Sequence, residues 1–455
     1  MSTFETVRQF VLSKRRWAGL ESDSLTRFQD ARAASLLPWV QTHSGFYREH
    51  WANHDLGRWR DLPRVDKSLM MANFARFNTV GLSSEAAFEV ALRAERDRNF
   101  SPVIQGLTVG LSSGTSGHRG LFLVNRLEQA AWAGVILSRT VPKFRLSGER
   151  IAFFLRSNSN LYEQIGRGRW LRFRYFDLMA PLAAAVDALN AFQPSILVAP
   201  PSMLELLARE FTAGKLKVRP KSLISVAEVL EPQDRDRLEG VFQIPVRQIY
   251  QATEGLLAVS CACNSLHLQE DIVAVQLEPV QIEPAQIEPV QIKPAQLEPG
   301  FEETNRFTPI ITDLWRRTQP IVRYRLNDVL RLEHKACACG SSWRSIAQIE
   351  GRSDDVLEFE SIVGGLRPFF PDSIRRAILL ADARILEYEA VQERPGHLRV
   401  HLEVQPGTEV LVRDAVHSSI AQMLKYHACR PADCEIVFRL IPRTANVKRR
   451  RVRRL

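Results

Sequence analysis

No run of 18 or more apolar residues occurs in the 455-residue chain, and its opening, MSTFETVRQFVLSKRRWAGL, contains no apolar stretch of signal-peptide length. Those absences argue against a helical membrane span and an export signal, and the expected compartment is the cytoplasm. Cysteine is sparse, with Cys261, Cys263, Cys337, Cys339, Cys429 and Cys434 making up the full set of six. In a chain of this size without an export signal, such residues read as reduced thiols or metal ligands rather than disulfide staples. The phosphate-binding pattern G-x-x-x-x-G-K-[ST] is also missing. Acidic residues are absent from the last thirteen positions, RTANVKRRRVRRL, which hold seven basic ones; without that tail the net charge drops from +10 to +3. The basic character therefore belongs to one terminus and not to a cationic face, so nucleic acid is not an expected partner.

The remaining composition is ordinary for a globular protein, with 45% hydrophobic and 25% charged residues. At roughly 100–200 residues per domain, the length accommodates two or three domains. Residues 1–100 read as mainly helical flanking structure. Between residues 104 and 250, short β-branched or aromatic runs alternate with amphipathic stretches such as PLAAAVDALNAF and PSMLELLAREF. The expected strands are Leu121–Val124, Ile151–Leu155, Arg172–Phe176, Ile196–Ala199, Leu223–Ala227 and Val246–Tyr250. Alternation of this kind predicts an α/β fold with mixed, largely parallel sheets and covering helices, whose ligands sit outside the carboxyl ends of the strands. The expected division is a large domain over residues 1–350 and a small α+β domain over 351–455, the latter built on HLRVHLEV and EIVFRLI.

Residues 276–299, with Gly300 completing the last copy, form tandem pentapeptides (QLEPV, QIEPA, QIEPV, QIKPA, QLEPG) with proline at every fifth position. Proline withholds a backbone donor each time, which forbids a continuous helix and weakens a central strand, so the segment reads as an extended, exposed insertion.

Several stretches can carry chemistry. In LTVGLSSGTSGHRGLFLV, the residues Ser112, Ser113, Gly114, Thr115, Ser116 and Gly117 place hydroxyls and unobstructed N–H groups together, a composition able to wrap polyphosphate oxygens. In VRQIYQATEGLLAV, Thr253 and Glu254 lie just past a strand end; the carboxylate there can hold Mg²⁺ on nucleotide phosphates, and the Tyr250 ring can cover a base. In PIVRYRLNDVLRL a strand is expected to end at Asn327-Asp328, where an acidic side chain can accept both hydroxyls of a ribose. Cys261, His267, Cys337 and Cys339 form a Cys₃His set suited to tetrahedral zinc if their two segments approach, with Cys263 as an alternative to Cys261. For the remaining substrate, FFLRSNSNLYEQIG, WLRFRYFDL and residues 226–230 are candidate pocket walls, with core packing as the competing reading of their aromatic residues.

Together with IEGRSDDVLEF and PRTANVKRR, these motifs occur in an order that resembles the adenylate-forming superfamily over about residues 105–455, the pentapeptides excepted. YQATEG, PIVRYRLND and CACG with GRSDD are most similar to the phenylacetate–CoA ligases and the related synthetases that adenylylate a deazaflavin cofactor. The resemblance implies ATP, Mg²⁺ and a carboxylic acid as ligands, and an acyl-adenylate passed to a thiol such as CoA. It assigns Ser112–Gly117 to the phosphates, Tyr250 to adenine, Glu254 to Mg²⁺, Asp328 to ribose, Arg352 to support of the nucleotide, Asp354 to a hinge and Lys448 to the adenylation step. Two positions depart from the family pattern: His118-Arg119 replaces Pro-Lys, and Val447 replaces the glycine before the lysine. Two other readings remain open at this level: nucleotidyl transfer to a phenol-like hydroxyl, and a nucleotide-binding scaffold whose basic tail engages a polyanion.

Overall fold

The computed structural model describes all residues except 1, 98, 100–101, 112–118, 142–147, 156–170, 179, 281–304, 353–354 and 443–449. The Ser112–Gly117 loop, Asp354 and Lys448 thus lie outside the described residues. Among the described residues, six α-helices, from Ser2–Gly19 to Ser84–Arg96, and the short 3-10 helix Leu56–Asp61 occupy most of the first hundred positions. They cover a sheet that dominates the molecule. Its strands run, edge to edge, Val273–Pro279, Arg306–Asp313, Asp328–Leu332, Ser345–Arg352, Leu266–Leu268, Gly255–Ser260, Val246–Ala252, Ser222–Val226, Ile196–Ala199, Glu149–Leu155 and Leu171–Asp177, with Tyr324–Arg325 attached to the second.

The sheet has two halves of different polarity. From Val246–Ala252 to Leu171–Asp177 all neighbours are parallel, joined through helices including Leu182–Phe192, Pro201–Thr212 and Pro232–Phe242. Ile196–Ala199 is buried at every position, as a strand with helices on both faces must be. From Val246–Ala252 onward the ladder turns antiparallel. The change of direction falls beside Tyr250, where crevices form outside strand ends.

The expected strands are all present, with three informative differences. The strand expected to reach Ala227 stops at Val226, because Ala227 has φ 67°, a left-handed conformation that no ladder accommodates. Asp328 opens its strand, Asp328–Leu332, instead of terminating the preceding one, which shrinks to Tyr324–Arg325. The first pentapeptide copy is not an exposed excursion: Gln276–Pro279 completes the strand Val273–Pro279, paired with residues 307–310. That strand lies at the sheet edge, where the missing proline N–H breaks no ladder bond. Glu278 ties it down by ion pairs to Arg64 and Arg325.

At the carboxyl end, the four-stranded sheet Asp433–Phe438, His397–Val404, Ile385–Arg394, Val452–Arg454 packs against Pro371–Leu379 and Glu409–Tyr426. Its core follows the alternation of HLRVHLEV: Leu398, Val400 and Leu402 are fully buried while their neighbours are not. The basic terminus is built into this sheet. Val452–Arg454 pairs in parallel with Ala390–Gln392, and Arg450, Arg453 and Arg454 reach Asp355, Glu389 and Glu358. Among the described residues of the terminus, these arginines face carboxylates of the chain itself. Among the described residues no helix is long and apolar enough to cross a membrane.

Candidate functional site

The turn between the first antiparallel pair, Val246–Ala252 and Gly255–Ser260, is the two-residue step Thr253-Glu254. The strand therefore feeds a hairpin and not a helix, and its tip presents a carboxylate. Thr253 Oγ1 donates to Glu254 Oε2 at 2.8 Å, and the buried Tyr324 phenol lies within the electrostatic reach of the same carboxylate. Burial first, then the charge of Glu254, push the Tyr324 phenol far above its ordinary range, so it stays neutral.

Tyr250, on the strand before this turn, donates its hydroxyl to Asp328 Oδ2 at 2.5 Å. Four strand spacings separate their strands along the sheet, about 19 Å if it were flat. The bond exists because the antiparallel half coils back over the crevice, helped by register shifts at Val329/Leu330 and Arg331/Leu332. Arg352 faces Asp328 across the ladder, its Nε 3.8 Å from Oδ1. Gly351 sits before it at φ 118°, a conformation closed to side-chain-bearing residues, which explains the G-R step of the motif. Burial, followed by the charge and hydrogen bond of Asp328, raises the Tyr250 phenol well above its usual value. Glu254 adds to that rise and Arg352 opposes it, so all four groups share one electrostatic neighbourhood.

The structure thus brings together Tyr250, Thr253, Glu254, Asp328 and Arg352. Sequence reasoning missed Arg316, which binds this turn to its surroundings. Its guanidinium is buried and donates to the carbonyls of Thr253 at 2.9 Å and Leu123 at 3.4 Å. Leu123 belongs to Leu121–Val124, which pairs with Leu107–Leu111 so that Leu111 faces Leu121. Those two residues flank the Ser/Thr/Gly loop, so Arg316 links the base of that loop to the Glu254 turn. Gln319 reinforces the link, accepting from Leu123 N at 2.7 Å and donating to Leu121 O at 3.1 Å. The only signal in sequence was the polar cluster WRRTQP ahead of PIVRYRLND. Arg119, where the resembled family has lysine, forms a bidentate pair with Glu95 at 2.6 and 2.9 Å and is directed away from a phosphate role in this arrangement.

The cysteine set also assembles. One ligand atom from each of Cys261, His267, Cys337 and Cys339 lies within 4.8 Å of all the others. Cys261 Sγ and Cys337 Sγ are 3.6 Å apart, and Cys339 Sγ is 3.4 Å from His267 Nε2. A tetrahedral metal with bonds near 2.3 Å to sulfur and 2.0 Å to nitrogen would require edges of about 3.8 and about 3.5 Å. His267 Nδ1 is 2.8 Å from the Trp343 carbonyl oxygen, which fixes the tautomer and turns the free Nε2 lone pair toward the thiols. Cys263 is exposed and is not part of the set.

No protein-family model matches the chain. Two of its curated relatives are phenylacetate–coenzyme A ligases, from Aromatoleum evansii (29% identical over 143 residues, 28% of this chain and 31% of that one) and Thermus thermophilus (29% over 89 residues, 20% and 19%). Protein CapK of Staphylococcus aureus is 24% identical over 246 residues, 53% of this chain and 47% of its own. The chain spans less than half the length of each of these relatives in the matched regions. Among solved structures, 2-hydroxyisobutyryl-CoA ligase in its postadenylation state, bound to R3-HIB-AMP, superposes with a TM-score of 0.67 at 18% identity, covering 96% of this chain and 91% of that one. The same ligase with 2-HIB-AMP and CoA in the thioesterification state gives 0.55 at 18%, covering 97% and 91%. This chain has the fold of the adenylate-forming CoA ligases, and phenylacetate–coenzyme A ligases are among its sequence relatives.

Proposed function

We propose that the protein is an AMP-forming ligase that activates a carboxylic acid, aryl or acyl, as its acyl-adenylate and then passes the acyl group to a thiol, with CoA as the acceptor. The observation that carries this reading is the closure of the Tyr250 hydroxyl onto Asp328 beside Glu254 and Arg352. It joins an aromatic face, a ribose-matching carboxylate, a cation and a metal-binding carboxylate in one crevice. The curated relatives named for CoA ligation support it.

A carboxylate substrate is ionised at pH 7, so its oxygen attacks the α-phosphorus without a general base. That oxygen forms a bond to phosphorus, the bond from the α-phosphorus to the bridging oxygen breaks, and pyrophosphate leaves with the electron pair. Charge accumulates on phosphate oxygens, and stabilising it is the main task. In this scheme Tyr250 lies on the adenine, Asp328 accepts from the ribose hydroxyls, and Arg352 holds Asp328 in place. The Ser112–Gly117 loop supplies N–H and hydroxyl donors to the outer phosphates, Asp354 is the hinge, and Lys448 reaches the α-phosphate. Glu254 suits Mg²⁺, a hard cation that takes carboxylate oxygen and would neutralise phosphate charge. The Cys₃His set suits a structural zinc, because four protein ligands leave no open position for water. Zinc held there would tie the segment that enters the strand Ser345–Arg352 to the neighbouring strand Leu266–Leu268.

The test is exchange of labelled pyrophosphate into ATP across a panel of aryl and fatty acids, followed by assay for a CoA thioester. Acid-dependent exchange with thioester supports the proposal. Exchange that depends on a phenol-like hydroxyl instead, with no thioester, would replace it with nucleotidyl transfer, and ATP binding without any exchange would reduce the protein to a scaffold.

A further inference from the structure

Arg451, immediately before the edge strand Val452–Arg454 of the small carboxyl-terminal sheet, divides its hydrogen bonds between Glu387 in that sheet and Asp234 outside it. Its Nε donates to Glu387 Oε1 at 2.7 Å, within that sheet. Its two Nη groups donate to Asp234 at 2.8 and 3.0 Å, and Nη1 stands 3.2 Å from Glu231. Asp234 and Glu231 begin the helix Pro232–Phe242, which covers the parallel half of the main sheet. Arg451, Asp234 and Glu387 are 7%, 0% and 1% exposed, so the cluster is sealed from water where the two bodies meet. Tyr388, next to Glu387, adds its hydroxyl at 3.4 Å from Glu231.

We propose that Arg451 is a positioning residue that clasps the small sheet to the helix Pro232–Phe242 and so holds the arrangement required for adenylation. The inference rests on the proposed ligase function. Parting a buried ion pair is ordinarily costly, because a bare charge remains on each side. Here separation would leave neither side bare. Arg451 would keep Glu387, and Asp234 would keep Arg237, which stands 3.3 Å away one turn along its own helix. A clasp that is closed by charge, with a partner retained on each side, can release and re-form. The segment that ends at Arg451 contains Lys448, so seating Arg451 also anchors the chain that bears the proposed catalytic lysine. Among the other described terminal arginines, Arg453 pairs with Glu389 inside the small sheet, while Arg450 and Arg454 pair with Asp355 and Glu358 in the segment that leads into it.

The experiment places genetically encoded spin labels at the exposed positions Asp236 and His417 in the full chain and measures their separation in wild type, Arg451→Met and Glu231→Gln. Both half-reactions are assayed in unlabelled protein. The expected result is a broadened or lengthened distance distribution in both variants, stronger in Arg451→Met, with unchanged far-ultraviolet circular dichroism. Adenylate formation should fall by about tenfold or more, while thioester formation from supplied acyl-adenylate stays within about twofold. Glu231→Gln is the milder change and decides the matter if Arg451→Met does not fold. Unchanged distributions, or two half-reactions reduced by the same factor, would overturn the proposal. If no acid supports adenylation in wild type, the ligase reading fails, while the distance distributions still show whether the clasp exists.

Discussion

Replacing Asp328 with asparagine preserves its shape and removes its charge. In the free protein the carboxylate already accepts from Tyr250 at 2.5 Å and faces Arg352 at 3.8 Å. An ionised carboxylate offers about four lone-pair sites, so two ribose hydroxyls can be added without displacing Tyr250. A hydrogen bond to a charged group contributes about 1–1.5 kcal/mol more than a neutral one. With two such bonds, Asp328→Asn should weaken ATP binding by about 2–3 kcal/mol, roughly 30- to 150-fold in Kd. Calorimetric titration of ATP and 2′-deoxy-ATP against both proteins completes a cycle. Wild type should bind the deoxy nucleotide about tenfold more weakly, and the variant should discriminate by less than about threefold. A matched thermal melt excludes simple unfolding. Equal binding of both nucleotides to wild type, or full discrimination retained in Asp328→Asn, would refute the assignment of Asp328 to the ribose.

Chelation should test the cysteine set: wild type should carry about one zinc per chain by elemental analysis, and Cys337→Ser should lose it and unfold at lower denaturant, with no zinc in wild type counting against the site. Gly110→Ala should destabilise the strand pair that flanks the Ser/Thr/Gly loop by about 1–3 kcal/mol. An added Cβ there would sit 2.0 Å from the Phe122 ring, so an unchanged urea midpoint would show that this packing is wrong. Deleting residues 281–300 should change stability by less than about 1 kcal/mol, because Val280 N–H donates to the Arg306 carbonyl at 2.9 Å, so the strands on either side of the deletion are already paired. A large loss of stability on that deletion would give the repeats a structural role.

Local pattern made the parallel half of the sheet legible. Ile196–Ala199 is a short apolar run that could hardly be anything but a buried strand, and its limits match the sequence reading, as do those of Leu121–Val124 in a separate antiparallel sheet. Ala227 was lost because its left-handed φ leaves no mark on an alanine. The edge position of Val273–Pro279 was equally hidden, since the cost of a proline depends on which strand pairs beside it. Within the site, Tyr250, Glu254 and Asp328 could be named one at a time from chemistry at expected strand ends, and Arg352 only through the family resemblance. Their convergence depends on how far the antiparallel half curls, a property of the whole sheet. Arg316 and Arg451 escaped for a different reason. In a chain rich in arginine, residue type alone does not separate a buried guanidinium from a solvated one, and their partners lie far away in sequence.

The central claim is that one nucleotide is gripped by separate segments of this chain. A crystal structure with a non-hydrolysable ATP analogue and Mg²⁺ tests it most directly. The account predicts adenine against the Tyr250 ring, ribose hydroxyls on Asp328, and the outer phosphates in the Ser112–Gly117 loop near Glu254. A nucleotide bound elsewhere, with Asp328 still engaged only by Tyr250 and Arg352, would contradict it.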